Sequence, residues 1–118
     1  MENNFKNNND LEKRLRQFDK IKREYPTKIP IILEKASNCT LNKNIKSKYI
    51  LSYDLTMAEF MSIIREKLEL ESEKALFFLA DNRYSLLGND ILGEIYEKYK
   101  DKEDGFLYVT YTDEVIYG

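Results

Sequence analysis

The chain has 118 residues, enough for one domain with a single core of ordinary size. Its 42% hydrophobic and 13% aromatic content argues against intrinsic disorder, and a formal net charge of −2 gives no overall pull toward nucleic acid or anionic membrane. There is no histidine, and Cys39 is the only cysteine, so an internal disulfide and every Ser-His or Cys-His nucleophile pair are excluded.

In chain order, "MENNFKNNND" carries five Asn in its first nine residues, lacks a signal-peptide core and reads as a flexible leader over 1–10. Leu11, Leu15, Phe18, Ile21 and Tyr25 then fall on one stripe at about 100° per residue. They predict an amphipathic helix over 11–26, capped by Asp10 and stopped by Pro26. It is basic: between Leu11 and Lys28 there are seven Lys/Arg against three Asp/Glu. That imbalance suits a solvated face or a dock for acidic peptides.

"KIPIILEK" at 28–35 and "KYILSY" at 48–53 read as two strands of an antiparallel hairpin, with Pro30 where its missing N–H is not needed. Thr56 with Glu59 forms a capping box for a helix bearing Phe60, Ile63, Ile64 and Leu68. "KALFFLA" at 74–80 predicts a buried strand and Asp81-Asn82 a turn. A second capped helix is predicted from about Asn89 or Asp90, with Ile91, Leu92, Ile95, Tyr96 and Tyr99 on one face. "GFLYVTYT" at 105–112 is the last strand. The longest apolar run, "ALFFLA" at 75–80, falls far short of the roughly 18 residues a membrane span needs.

Two strands, a capped helix and further strands are the layout of an α+β, ubiquitin-like β-grasp: a four-stranded mixed sheet around one helix, here preceded by a helical extension. The ubiquitin-like domain is expected over 27–118, with a C-terminal tail over 113–118.

On residues alone, Ile32, Leu55, Phe60 and Ile63 are core positions, Lys46 and Lys48 are solvated lysines, and Arg65 is a surface helix residue. "FDKIKREYPTKIPIILEKA" and "KSKYILSYDLTMAEFMSIIREKLEL", however, resemble the autophagy ubiquitin-like modifiers, the family of the GABA-receptor-associated protein and microtubule-associated light chain three. "EKALFFLADN", "IYEKYKDKEDGFLYVTYTDE" and the terminal Gly118 match as well, so the resemblance covers about residues 11–118.

The resemblance implies that the Gly118 carboxylate is adenylated by an activating enzyme and passed as a thioester to a conjugating enzyme. It is then joined to the amine of phosphatidylethanolamine on autophagosomal membranes, and a cysteine protease reverses the step. Glycine suits this chemistry because no Cβ blocks approach to its carbonyl carbon. The resemblance also implies capture of aromatic-x-x-aliphatic motifs of autophagy receptors and scaffolds, added as a strand to the "KSKYIL" edge. The aromatic would enter a pocket of Gln17, Ile21, Pro30, Ile32, Lys48, Ile50 and Phe106. The aliphatic would enter one of Tyr49, Leu51, Leu55, Phe60 and Ile63. Lys28, Lys46 and Lys48 would meet the acidic flank, and Arg65, Phe77 and Leu79 the processing and conjugating enzymes.

The residues themselves, with no histidine, one cysteine, no catalytic constellation and little net charge, lead us to expect a non-enzyme and a monomer with no cofactor, metal or nucleic-acid partner; the resemblance implies a cytoplasmic protein, on autophagosomes once lipidated. The chain differs from the family pattern at Ser52, Ile50, Leu51 and Gln17, in "NRYSLLGNDIL" at 82–92, and by an inserted Lys102. A non-conjugated adaptor of the same fold, in membrane trafficking or on microtubules, is the alternative reading.

Overall fold

A computed structural model of the chain describes residues 4–114. Its elements are α1 (Phe5–Asn8), α2 (Leu11–Glu24), β1 (Lys28–Lys35), β2 (Lys48–Ser52), α3 (Met57–Leu68), β3 (Phe77–Ala80), β4 (Tyr84–Ser85), α4 (Leu92–Tyr99) and β5 (Leu107–Thr112). The sheet order is β2-β1-β5-β3-β4, with β1 and β5 parallel and the other pairs antiparallel.

β1 forms where the sequence is continuously apolar because both its faces are covered. Ile29, Ile31 and Leu33 join the core shared with Met57, Phe60 and Ile64 of α3 and Leu92 and Ile95 of α4. Ile32 joins a second cluster with Ile21 of α2 and Phe106. Pro30 is paired with Ile50 in the hairpin. Leu33 N donates toward β2, to Ser47 O (2.6 Å), so by alternation the nitrogen of Pro30 faces β5. Pairing with β5 starts one residue later, at Ile31–Leu107, and the missing donor is not needed.

The helix signals act as expected at two of three starts. Asp10 accepts from Lys13 N (2.9 Å). Thr56 and Glu59 make the reciprocal capping box, and Glu69 in the left-handed region closes α3. For α4 the expected Asn89 or Asp90 cap does not form. The helix begins at Leu92, its cap residue Ile91 offers no side-chain acceptor, and Asp90 Oδ2 instead accepts from Leu87 N. Distant carbonyls satisfy the exposed donors: Leu92 N reaches Leu55 O (2.8 Å) and Gly93 N reaches Tyr53 O (2.9 Å).

Three strand expectations are corrected. The sheet has five strands rather than four, because Asp81 and Asn82, both at positive φ, fold Tyr84–Ser85 back onto β3. β3 starts at Phe77 rather than Lys74, since Lys74 N closes a turn on Glu71 O and Lys74 O is held by Arg65. β5 starts at Leu107: Gly105 adopts φ +83°, and a Cβ there would lie 2.6 Å from the Phe18 ring.

Within the Asn-rich leader, Phe5–Asn8 forms one helical turn that packs on the sheet. Phe5 N donates to Glu34 Oε2 (2.9 Å), its ring meets Phe106 edge-on at 5.3 Å, and Lys6 pairs with Asp101 (2.6 Å).

The phenols of Tyr96 and Tyr111 are both pushed up to about 12 by burial, Tyr111 further by its neighbours Cys39 and Tyr49. Unfolded tyrosine ionises near 10. Below that both states hold their protons and the contribution is intact. Between about pH 10 and 12 only the unfolded chain releases them, so stability falls as pH rises, by up to about 1.4 kcal/mol per pH unit for each group. Denaturant titrations across this range are expected to show that decline, with a shallower slope in Tyr96→Phe.

Candidate functional site

β2 is one of the two outer strands of the sheet, bonded to β1 on one side. Its side chains alternate between the two faces of the sheet. Tyr49 and Leu51 turn to the α3 side and belong with the main core, whereas Ile50 packs on the second cluster under α2. Each face therefore carries its own group of the residues singled out in the sequence.

On the α2 face, Ile21, Pro30, Ile32 and Phe106 are buried, and Gln17, Lys48 and Ile50 are half-buried at the rim. Lys48 Nζ donates to Gln17 Oε1. Burial, with the like charge of Lys20, holds the Lys48 ammonium below its ordinary range. Phe18 meets Phe106 edge-on at 5.8 Å, and Lys48 Nζ stands 5.6 Å from the Phe5 ring centre. Sequence reasoning left Phe5 out of this group, although it is the one aromatic residue in an otherwise polar leader, and that isolation was a usable signal.

On the α3 face, Phe60 is fully buried and Tyr49 is 4% exposed, the two rings meeting edge-on at 5.6 Å. Leu51, Leu55 and Ile63 are half-buried above them. Phe60 and Tyr49 thus form a floor, and the three aliphatics form the reachable wall. Among the described residues the buried Tyr49 hydroxyl has no hydrogen-bond partner.

The three lysines do not share one place. Lys46 and Lys48 stand together at the start of β2, with Lys46 Nζ 5.2 Å from the Tyr49 ring centre. Lys28 is at the opposite end, paired with Ser52. Arg65, near the end of α3, donates to Glu71 O (3.2 Å) and Lys74 O (2.7 Å), so it fastens the loop that follows the helix. Phe77 and Leu79 lie on one face of β3, opposite Thr112 and Thr110; Phe77 is exposed and Leu79 buried. Among the described residues no cluster of His, Cys, Asp or Glu is arranged to hold a metal, and no helix is long and apolar enough to cross a membrane. Gly118 lies outside the described residues.

A mixed sheet wrapped on α3, with two helices on its outer face and an apolar group on either side of the edge strand β2, has the layout of a ubiquitin-like protein. The model of the family described as autophagy protein Atg8 ubiquitin-like matches residues 13–118. The chain belongs to this family of autophagy ubiquitin-like proteins. It is 41% identical over 114 residues to autophagy-related protein 8e of Arabidopsis thaliana, covering 97% of this chain and 92% of that one. It is 39% identical over 118 residues to autophagy-related protein 8 of Mycosarcoma maydis, covering 100% and 98%. The crystal structure of Trypanosoma brucei ATG8 superposes with a TM-score of 0.87 at 33% identity, over 100% of both chains.

Proposed function

We propose that the chain is a modifier conjugated through Gly118 to phosphatidylethanolamine, and that it recruits autophagy receptors and scaffolds by adding their motif peptides to β2. The observation that carries the reading is a terminal strand whose alternate residues face two separate apolar groups, Ile21/Ile32/Ile50/Phe106 and Leu51/Leu55/Ile63. A peptide strand presents residues i and i+2 to one face and i+1 and i+3 to the other, so an aromatic-x-x-aliphatic spacing sends its two anchors to opposite recesses. Lys46 and Lys48 at the start of the strand suit an acidic stretch beside the motif.

In the conjugation, the Gly118 carboxylate attacks the α-phosphorus of ATP and releases pyrophosphate. A cysteine thiolate of the activating enzyme displaces AMP, and a second cysteine takes over the thioester. The lipid amine then forms the amide and releases the thiol. The chain supplies the electrophile, the partner enzymes the catalysis. Two acyl chains would hold the product on the membrane, each buried CH₂ contributing about 0.8 kcal/mol.

The test combines the chain with activating and conjugating enzymes, ATP and phosphatidylethanolamine liposomes, and reads intact mass. A lipid-sized gain in the full chain and none after deletion of Gly118 is the expected result. No gain beside a positive control would leave the non-conjugated adaptor, and capture of a fluorescent motif peptide would then be the function to measure.

A further inference from the structure

The end of β5 is tied to a loop seventy-three residues earlier in the chain. Thr40 N donates to Asp113 Oδ1 (2.8 Å), and Thr40 Oγ1–H donates to Asp113 Oδ2, so both carboxylate oxygens are held by one residue. The Thr40 hydroxyl is the largest cause of an Asp113 carboxyl held below its usual range, with the Cys39 thiol as a further donor.

The loop that presents Thr40 is itself built. Cys39 N closes a turn on Ala36 O (3.0 Å), Lys35 Nζ binds Leu41 O (2.6 Å), and Ala36 N joins the loop to Tyr111 O (2.9 Å). Ladder pairing stops just before the clamp: β1 gives its last partner at Lys35–Tyr111 and β3 at Phe77–Thr112. Glu114 N turns back on Thr112 Oγ1 (3.1 Å). Asp113 therefore carries the long-range bonds of the chain as it leaves the sheet.

We propose that Thr40 is a positioning residue for the conjugation reaction: through its two bonds to Asp113 it sets the direction in which the chain leaves the body at that residue. The inference rests on the conjugation reading above. Gly118 is the fifth residue after Asp113, so chain length alone keeps the reacting carbonyl within about 17 Å of the clamp. Without the clamp the pivot retreats to Thr112 and the heading is lost, which lowers the fraction of encounters that place the carbonyl at the attacking cysteine. Thr40 is exposed, so its removal leaves the core intact.

The experiment compares the full chain with Thr40→Ala, Thr40→Ser and Asp113→Asn. It follows thioester formation on the activating and conjugating enzymes, amide hydrogen exchange of the C-terminal peptide, and thermal unfolding. Thr40→Ala is expected to leave the unfolding temperature nearly unchanged, to speed exchange after Thr112, and to slow thioester formation about fivefold, the loss of one charge-assisted hydrogen bond at a partly solvated site. Asp113→Asn is expected to behave alike, and Thr40→Ser, which keeps the hydroxyl, to restore both readouts. If the wild-type chain forms thioester and Thr40→Ala does so equally fast, or its exchange matches wild type, the positioning role is overturned. If the wild-type chain itself forms no thioester, the conjugation reading fails first and the positioning role with it.

Discussion

An Asp104→Ala chain is expected to lose about 3–5 kcal/mol of folding stability, a large share of what a domain of this size possesses. Asp104 is 1% exposed and serves three donors. Arg14 Nη1 reaches Oδ2 at 2.6 Å, the Tyr108 hydroxyl reaches the same oxygen at 2.6 Å, and Phe106 N donates to Oδ1 at 2.9 Å. Burial works against the Arg14 charge, but the bonds to Asp104 and Tyr108 outweigh it and hold the guanidinium above its already high ordinary value. Burial, then the bond to Asp104, raises the Tyr108 phenol too. Truncating the carboxylate would strand a buried cation and two further donors. Chemical denaturation is the measurement, with the double variant Arg14→Met/Asp104→Leu as its partner. The double variant should regain part of the loss, because it removes the stranded cation while the Tyr108 hydroxyl and Phe106 N–H stay unpaired. A single-variant loss under about 1 kcal/mol would show that the network contributes little. Since Arg14 sits on α2, the single variant should also raise hydrogen exchange along that helix.

Phe60→Ala should cost a similar amount, about 3–5 kcal/mol, yet for a different reason. Its ring is completely buried between Tyr49, at 5.6 Å, and Phe78, at 6.3 Å, so truncation leaves a cavity that the sheet and α3 fill only in part. Ile63, one turn further along α3, is half-buried and forms wall rather than floor. Ile63→Ala is expected to cost only about 1–2 kcal/mol of stability while weakening capture of an aromatic-x-x-aliphatic peptide by about tenfold. Measuring both quantities on both variants separates packing from recognition. An Ile63→Ala chain that binds the peptide as tightly as wild type would remove the α3 recess from the proposed site.

Local signals in the sequence are strong where one short segment decides its own structure. "KIPIILEK" reads as a strand over 28–35, and it is one. Thr56-x-x-Glu59 announces the start of α3 because both partners of the capping box lie within a single turn. Asp81-Asn82 marks a turn because these residues tolerate the left-handed region. What stayed hidden depends on residues far apart. The start of α4 is satisfied by carbonyls of Tyr53 and Leu55, which no cap pattern encodes. β4 is two residues long and owes its pairing to the turn before it. The Arg14–Asp104 bond spans ninety positions. For the site, family resemblance supplied residue names. The resemblance also implies an edge at "KSKYIL", and the strand order has β2 there; only burial separates the floor residues Tyr49 and Phe60 from the wall residues Leu51, Leu55 and Ile63.

The place of β5 in the sheet has a mechanical consequence. It runs between β1, parallel from Ile31–Leu107 to Lys35–Tyr111, and β3, antiparallel from Phe77–Thr112 to Ala80–Val109. Any tension applied beyond Asp113 is directed along that strand. Both ladders then resist sliding at the same moment, whereas an outer strand such as β2, bonded on one side, would unzip rung by rung. Load entering through the tail is spread across the middle of the sheet, which makes the body a stiff link between whatever holds its C-terminal end and whatever grips its edge.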